Sequence, residues 1–62
     1  MTPYEQWIDR FLDVRSALNI WKALEARGDP DAYRAIRAEG QRMKELLEQG
    51  REAGWRLPPW LS

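Results

Sequence analysis

One interruption, Gly28-Asp29-Pro30-Asp31, divides the chain into two stretches that read as long helices. From Tyr4 to Arg27 there is neither Gly nor Pro, and Ser16 and Asn19 are the only weak helix formers near the middle. Thr2-Pro3-Tyr4-Glu5 opens this stretch. Thr2 can cap the helix, Pro3 suits its first position, and Glu5 three residues after the cap completes a capping box. Gly28 suits the left-handed position that ends a helix. Asp29 is then expected to cap the next helix, Pro30 to open it, and Asp31 to favour the positive end of its dipole. Gly54 is the expected stop. The predicted elements are helix 1 at about 3–27, a turn at 28–29, helix 2 at about 30–53 and a tail over 54–62, forming one domain over 1–62. A helix of roughly 25 residues is ~37 Å long. Two such helices joined by so short a turn must be antiparallel neighbours. The fold class is all-α: an antiparallel helical hairpin with an extended Trp/Pro-rich C-terminal tail.

Each helix carries an apolar seam at alternating three- and four-residue steps. Helix 1 has Tyr4, Trp7, Phe11, Val14, Leu18 and Trp21; helix 2 has Tyr33, Ile36, Gly40, Met43, Leu47, Gly50 and Gly54. Folding about Gly28-Asp29 sets Trp21 against Ile36, Val14 against Met43, Phe11 against Leu46 or Leu47, and Trp7 against Gly50. Leu18 falls near Gly40, and Tyr4 near Ala53 or Gly54. A Gly inside a helix costs ~1 kcal/mol relative to Ala. Gly40 and Gly50 are therefore read as small residues opposite large ones, which is how facing layers interdigitate. A hinge in helix 2 is the alternative.

Some apolar surface is left over. Ile8 and Leu12 flank the seam on one side; Ala17, Ile20 and Leu24 flank it on the other; Ala35 and Leu46 lie outside the helix 2 seam. A core of 62 residues rarely leaves more than ~3–5 kcal/mol of net stability. With no Cys and no His, disulfides and zinc sites built from those residues are excluded. A homodimer, closing a four-helix bundle through Ile8, Leu12, Ile20, Leu24, Ala35 and Leu46, is the expected remedy. Charge favours an orientation. Residues 15–44 hold seven basic groups against four acidic ones, and the remainder holds six acidic against three basic. Copies with their turns at opposite ends would set plus against minus, which selects orientation more than it drives assembly.

No catalytic constellation is visible, and no cofactor or metal is expected. His, the residue suited to proton transfer near neutral pH, is absent. Ser16 and Ser62 have no obvious base. The carboxylate rows Glu5/Asp9/Asp13 and Glu45/Glu48/Glu52 lie beside Arg10, Arg51 and Lys44 and read as solvated faces. A non-enzyme is expected. Lys22, Arg27, Arg34, Arg37 and Lys44 could form a basic stripe for RNA or DNA. It is diluted by Glu25, Asp29, Asp31 and Glu39 and lacks interleaved exposed aromatics. Formal charge is zero, which argues against binding driven by net charge.

The tail WRLPPWLS is the stiffest stretch. Pro58-Pro59 disfavours helix and favours extended polyproline geometry. Trp55, Leu57, Pro58, Pro59, Trp60 and Leu61 are read in two ways. They either fold back on Tyr4, Trp7 and Ile8 to close the core, or stand outward as a preorganised protein-binding motif. The functional expectation is a small protein-interaction module, an adaptor, regulator or inhibitor. A nucleic-acid-binding hairpin dimer and a structural subunit of a larger assembly are the alternatives. No apolar run approaches the ~18 residues of a membrane span, and MTPYEQWID lacks the pattern of a signal peptide. A cytoplasmic setting is expected, and the excess of Arg over Lys, eight to two, points weakly to a GC-rich bacterial or phage genome.

Overall fold

A computed structural model describes residues 1–61. Helix α1 spans Pro3–Ala26, helix α2 spans Ala32–Ala53, and one 3-10 turn covers Pro59–Leu61. The described residues contain no strand. The helices pack side by side in a hairpin whose long dimension is 38 Å, close to the ~36 Å expected of the 24 residues of α1. Among the described residues no helix is long and apolar enough to cross a membrane.

The helix ends follow from local chemistry. Both halves of the capping box are made: the Glu5 N–H donates to the Thr2 hydroxyl, and the Thr2 N–H donates to the Glu5 carboxylate, each at 3.1 Å. Hydrogen bonds to its charged form from the Thr2 backbone N–H, and secondarily from the Thr2 side chain, hold the Glu5 carboxyl below its ordinary value. Gly28 and Gly54 take positive φ, 88° and 76°. Each lets the following N–H reach back five residues to a helix carbonyl, Asp29 to Leu24 at 3.1 Å and Trp55 to Gly50 at 2.7 Å.

Helix α2 starts two residues later than Pro30. Asp29 does not cap it. Its Oδ1 accepts the Asp31 N–H at 2.9 Å, and its carbonyl accepts the Ala32 N–H at 3.3 Å. Asp-Pro at the first two positions favours this tight turn over a helical start. Asp31 occupies the capping position without a side-chain bond.

The α1 seam is as expected. Trp7, Phe11 and Val14 are buried, and Tyr4, Leu18 and Trp21 are half-buried. The α2 seam shares Ile36, Met43 and Gly50 with the expectation but runs through Ala32, Glu39 and Leu46 between them, where Tyr33, Gly40 and Leu47 were expected. Leu46, expected outside the seam, is buried in it; Leu47 is 43% exposed and Tyr33 61%. Trp7 explains the rotation. Its indole lies across Gly50, and its Nε1–H donates to the Leu46 carbonyl at 2.7 Å. Both demands are met only when the Leu46 flank turns inward. Gly40 then points to open space and packs against nothing, so its reading as a packing glycine is corrected.

Candidate interaction surface

At the open end of the hairpin the tail returns over the start of α1. Tyr4, Trp7 and Trp55 form an aromatic cluster with ring centroids 5.7–6.2 Å apart. The Tyr4 hydroxyl donates to the Arg56 carbonyl at 2.8 Å, tying residues 52 apart in sequence. Trp55 and Leu57 pack against the core formed by Trp7, Val14 and Leu46.

The polyproline expectation fails at its last step. After Pro58 the chain closes a 3-10 turn, with the Leu61 N–H donating to the Pro58 carbonyl at 2.9 Å. Pro59 starts that turn, where its fixed φ suits a helical first position and its missing N–H is not needed. The turn sends consecutive side chains opposite ways: Leu61 is 8% exposed and Trp60 70%. Trp60 lines a shallow groove with Ile8, Leu12, Pro58, Glu5 and Asp9. Met1, itself largely exposed, lies at the same groove. Within the tail, then, Trp55, Leu57 and Leu61 are turned largely inward, Pro58 is half-buried, Pro59 is exposed, and Trp60 is the large apolar side chain left outward.

The residues expected to mediate self-association divide as well. Ile20 is 61% exposed; Leu12, Leu24 and Ala35 are half-buried; Ile8 reaches the core; and Leu46 lies in the core. Lys22, Arg27, Arg34, Arg37 and Lys44 are all exposed. Arg37 lies over the Tyr33 ring, 5.8 Å from its centroid. The basic stripe therefore does carry an exposed aromatic, which the heptad reading had placed inside. Near it Arg42 is paired with Glu39 at 3.3 Å. Among the described residues no group of three carboxylates is placed to hold a metal ion. Ser16 is exposed on α1, and Ser62 lies outside the described residues.

Sequence reasoning missed the selectivity of the tail. The signal was the pair Pro58-Pro59 itself, since the second Pro can open a turn that alternates the side chains behind it.

No family model matches the chain, and no curated protein or solved structure matches it.

Proposed function

We propose that the protein is a non-enzymatic protein-interaction module, acting as an adaptor, regulator or inhibitor, and that Trp60 is its anchor. The observation that carries this reading is the contrast between Trp60, 70% exposed, and Leu61, 8% exposed, one residue on. The buried leucine and the two prolines fix the turn that presents the indole. A preorganised anchor loses little conformational freedom when bound. Covering the exposed part of such an indole is worth about 3–4 kcal/mol of transfer free energy. Trp is also the residue type most enriched among binding hot spots.

A second reading, nucleic-acid binding through the turn-proximal half, draws support from the exposed Arg37–Tyr33 pair among other exposed bases. A stacking aromatic beside cations is a common single-strand binding device. One experiment separates the two. Tagged wild-type protein and Trp60→Ala are used as bait in a lysate of the source cells, washed at low and high salt. A protein partner retained at high salt by wild type and lost by Trp60→Ala is the expected result. Nucleic acid that elutes steeply with salt and is indifferent to Trp60→Ala would displace the first reading.

A further inference from the structure

The exposed face of α1 has an organisation that points to one occupant. Ile8, Leu12, Ser16, Ile20 and Leu24 follow at steps of four; Ser16 and Ile20 are exposed, Leu12 and Leu24 half-buried, and Ile8 half-buried against the core. At about 100° per residue, each step of four turns the row by about 40° around the helix. The row begins beside Trp60, where Ile8 and Leu12 line the groove, and winds to the face opposite the seam at Ile20. A row of this kind is a ridge inclined to the helix axis, and two such ridges interlock when their helices cross at about 50°.

Three further observations bear on what covers it. First, the small side chain of Ser16 lies at the centre of the row, with two bulky residues on each side. A two-fold crossing needs a small residue there. Second, the N-terminal half of this face is edged by Glu5, Asp9 and Asp13, while its far end carries Glu25 and Arg27, which offset each other. The same asymmetry runs through the whole hairpin, acidic at the open end and basic near the turn. The hairpin as a whole is thus complementary to itself when one copy is reversed. Third, the chain exposes 4907 Å². A compact monomer of 7.4 kDa exposes about 4,200 Å². The surplus of roughly 700 Å² reflects the elongated 38 × 20 × 19 Å shape, whose long faces leave room for the ~800 Å² that each partner contributes to a standard interface.

We propose that this face docks a second copy of the chain. The two α1 helices cross at Ser16 in opposite directions, and the acidic open end of each lies toward the basic turn of the other. The proposal goes beyond the Trp60 reading and does not depend on it. The crossing differs from the aligned four-helix bundle that the heptad pattern led us to expect. It centres on one helix from each copy, and it leaves the helix α2 outer face, including Leu47, free.

The test uses the absence of cysteine. Facing Cα atoms at a close helix crossing are about 4–5 Å apart, within or just below the span a disulfide bridges. Under mild oxidant, Ser16→Cys is expected to convert almost wholly to a covalent dimer, whereas Glu48→Cys, exposed on α2, is not. Wild type is expected to sediment at twice the chain mass. Ile20→Lys, at a site too exposed to be needed for folding, is expected to keep its helix content and sediment as a monomer. A wild type that stays monomeric across the accessible concentration range overturns the proposal. So does a dimer that cross-links through Glu48→Cys and not through Ser16→Cys. Either failure leaves the Trp60 capture experiment standing, so the two readings fall separately.

Discussion

Gly50→Ala adds one methyl group and tests how the hairpin closes. A Cβ built on Gly50 falls 2.7 Å from Trp7 Cε2 and 2.9 Å from Cη2, and nearer still to Cζ2. Ordinary contacts of this kind begin at 3.4 Å, so the indole must retreat. It has little room to do so: it is 3% exposed, is held by its bond to the Leu46 carbonyl, and is flanked by the rings of Tyr4 and Trp55. Overpacking of this sort costs ~1–3 kcal/mol. A weakened indole bond adds about 1 kcal/mol, and the helix-propensity gain of Ala over Gly returns about 1 kcal/mol. The net is a loss of about 2 kcal/mol, or a fall in Tm of roughly 8–16 °C for a domain this small. Gly40→Ala is the matched control, because a Cβ there meets nothing within 4 Å. It should gain about 1 kcal/mol and raise Tm by about 4–8 °C. Both are read by thermal melting in far-ultraviolet circular dichroism, at one protein concentration because self-association would add its own stability. If Gly50→Ala melts as high as Gly40→Ala, Trp7 does not lie over Gly50 and the account of the seam is refuted.

The tail offers a paired comparison: Leu61→Ala should lower stability by ~2–5 kcal/mol as a buried truncation, while Trp60→Ala should leave it within ~0.5 kcal/mol. Equal denaturant midpoints for the two variants would refute the inward–outward alternation. Glu5 gives a pH dependence with a defined sign. Its folded pKa is depressed below 4.5 by the bonds from Thr2, so its stabilisation is present above that ordinary value and is lost as pH falls through the lower folded one. Nuclear magnetic resonance titration of the Glu5 side chain should show the depressed value, and Thr2→Ala, which removes the hydroxyl but keeps the larger backbone contribution, should bring it only part of the way back toward 4.5; a wild-type Glu5 that shows no depression would discard the capping box as the cause.

The elements legible in the sequence are those set by a few neighbouring residues. The N-terminal capping box, the Gly28 and Gly54 stops and the α1 seam each follow from local chemistry. The phase of α2 does not. Ile36, Met43 and Gly50 fit either of two seams, which diverge at Glu39 or Gly40 and at Leu46 or Leu47, one residue apart. Hydrophobicity cannot choose between two adjacent leucines. The choice is made by the indole N–H of Trp7, which needs a carbonyl from a residue 39 positions away. Reading Gly40 and Gly50 as equivalent failed for the same reason: only one of them faces a tryptophan. In the tail, composition marked an unusual segment, but which side chains point inward depends on a single turn after Pro58. The residue best placed as an anchor, Trp60, could be separated from its neighbours only once that turn was located.

The tilted stacking of Trp7 and Trp55, with ring centroids 5.7 Å apart and planes inclined by 45°, has an optical consequence. Two indoles so close and not parallel share their electronic excitation, and the shared transition produces a paired circular-dichroism band that neither ring shows alone. The helical backbone signal reports both helices along their whole length. The paired band reports only whether the open end is shut. Trp60 is the most exposed of the four tryptophans, and the emission lost in Trp60→Phe isolates its response to solvent contact. The molecule therefore carries separate built-in signals for helix content and for closure of its open end, and one substitution adds a third for its outer face.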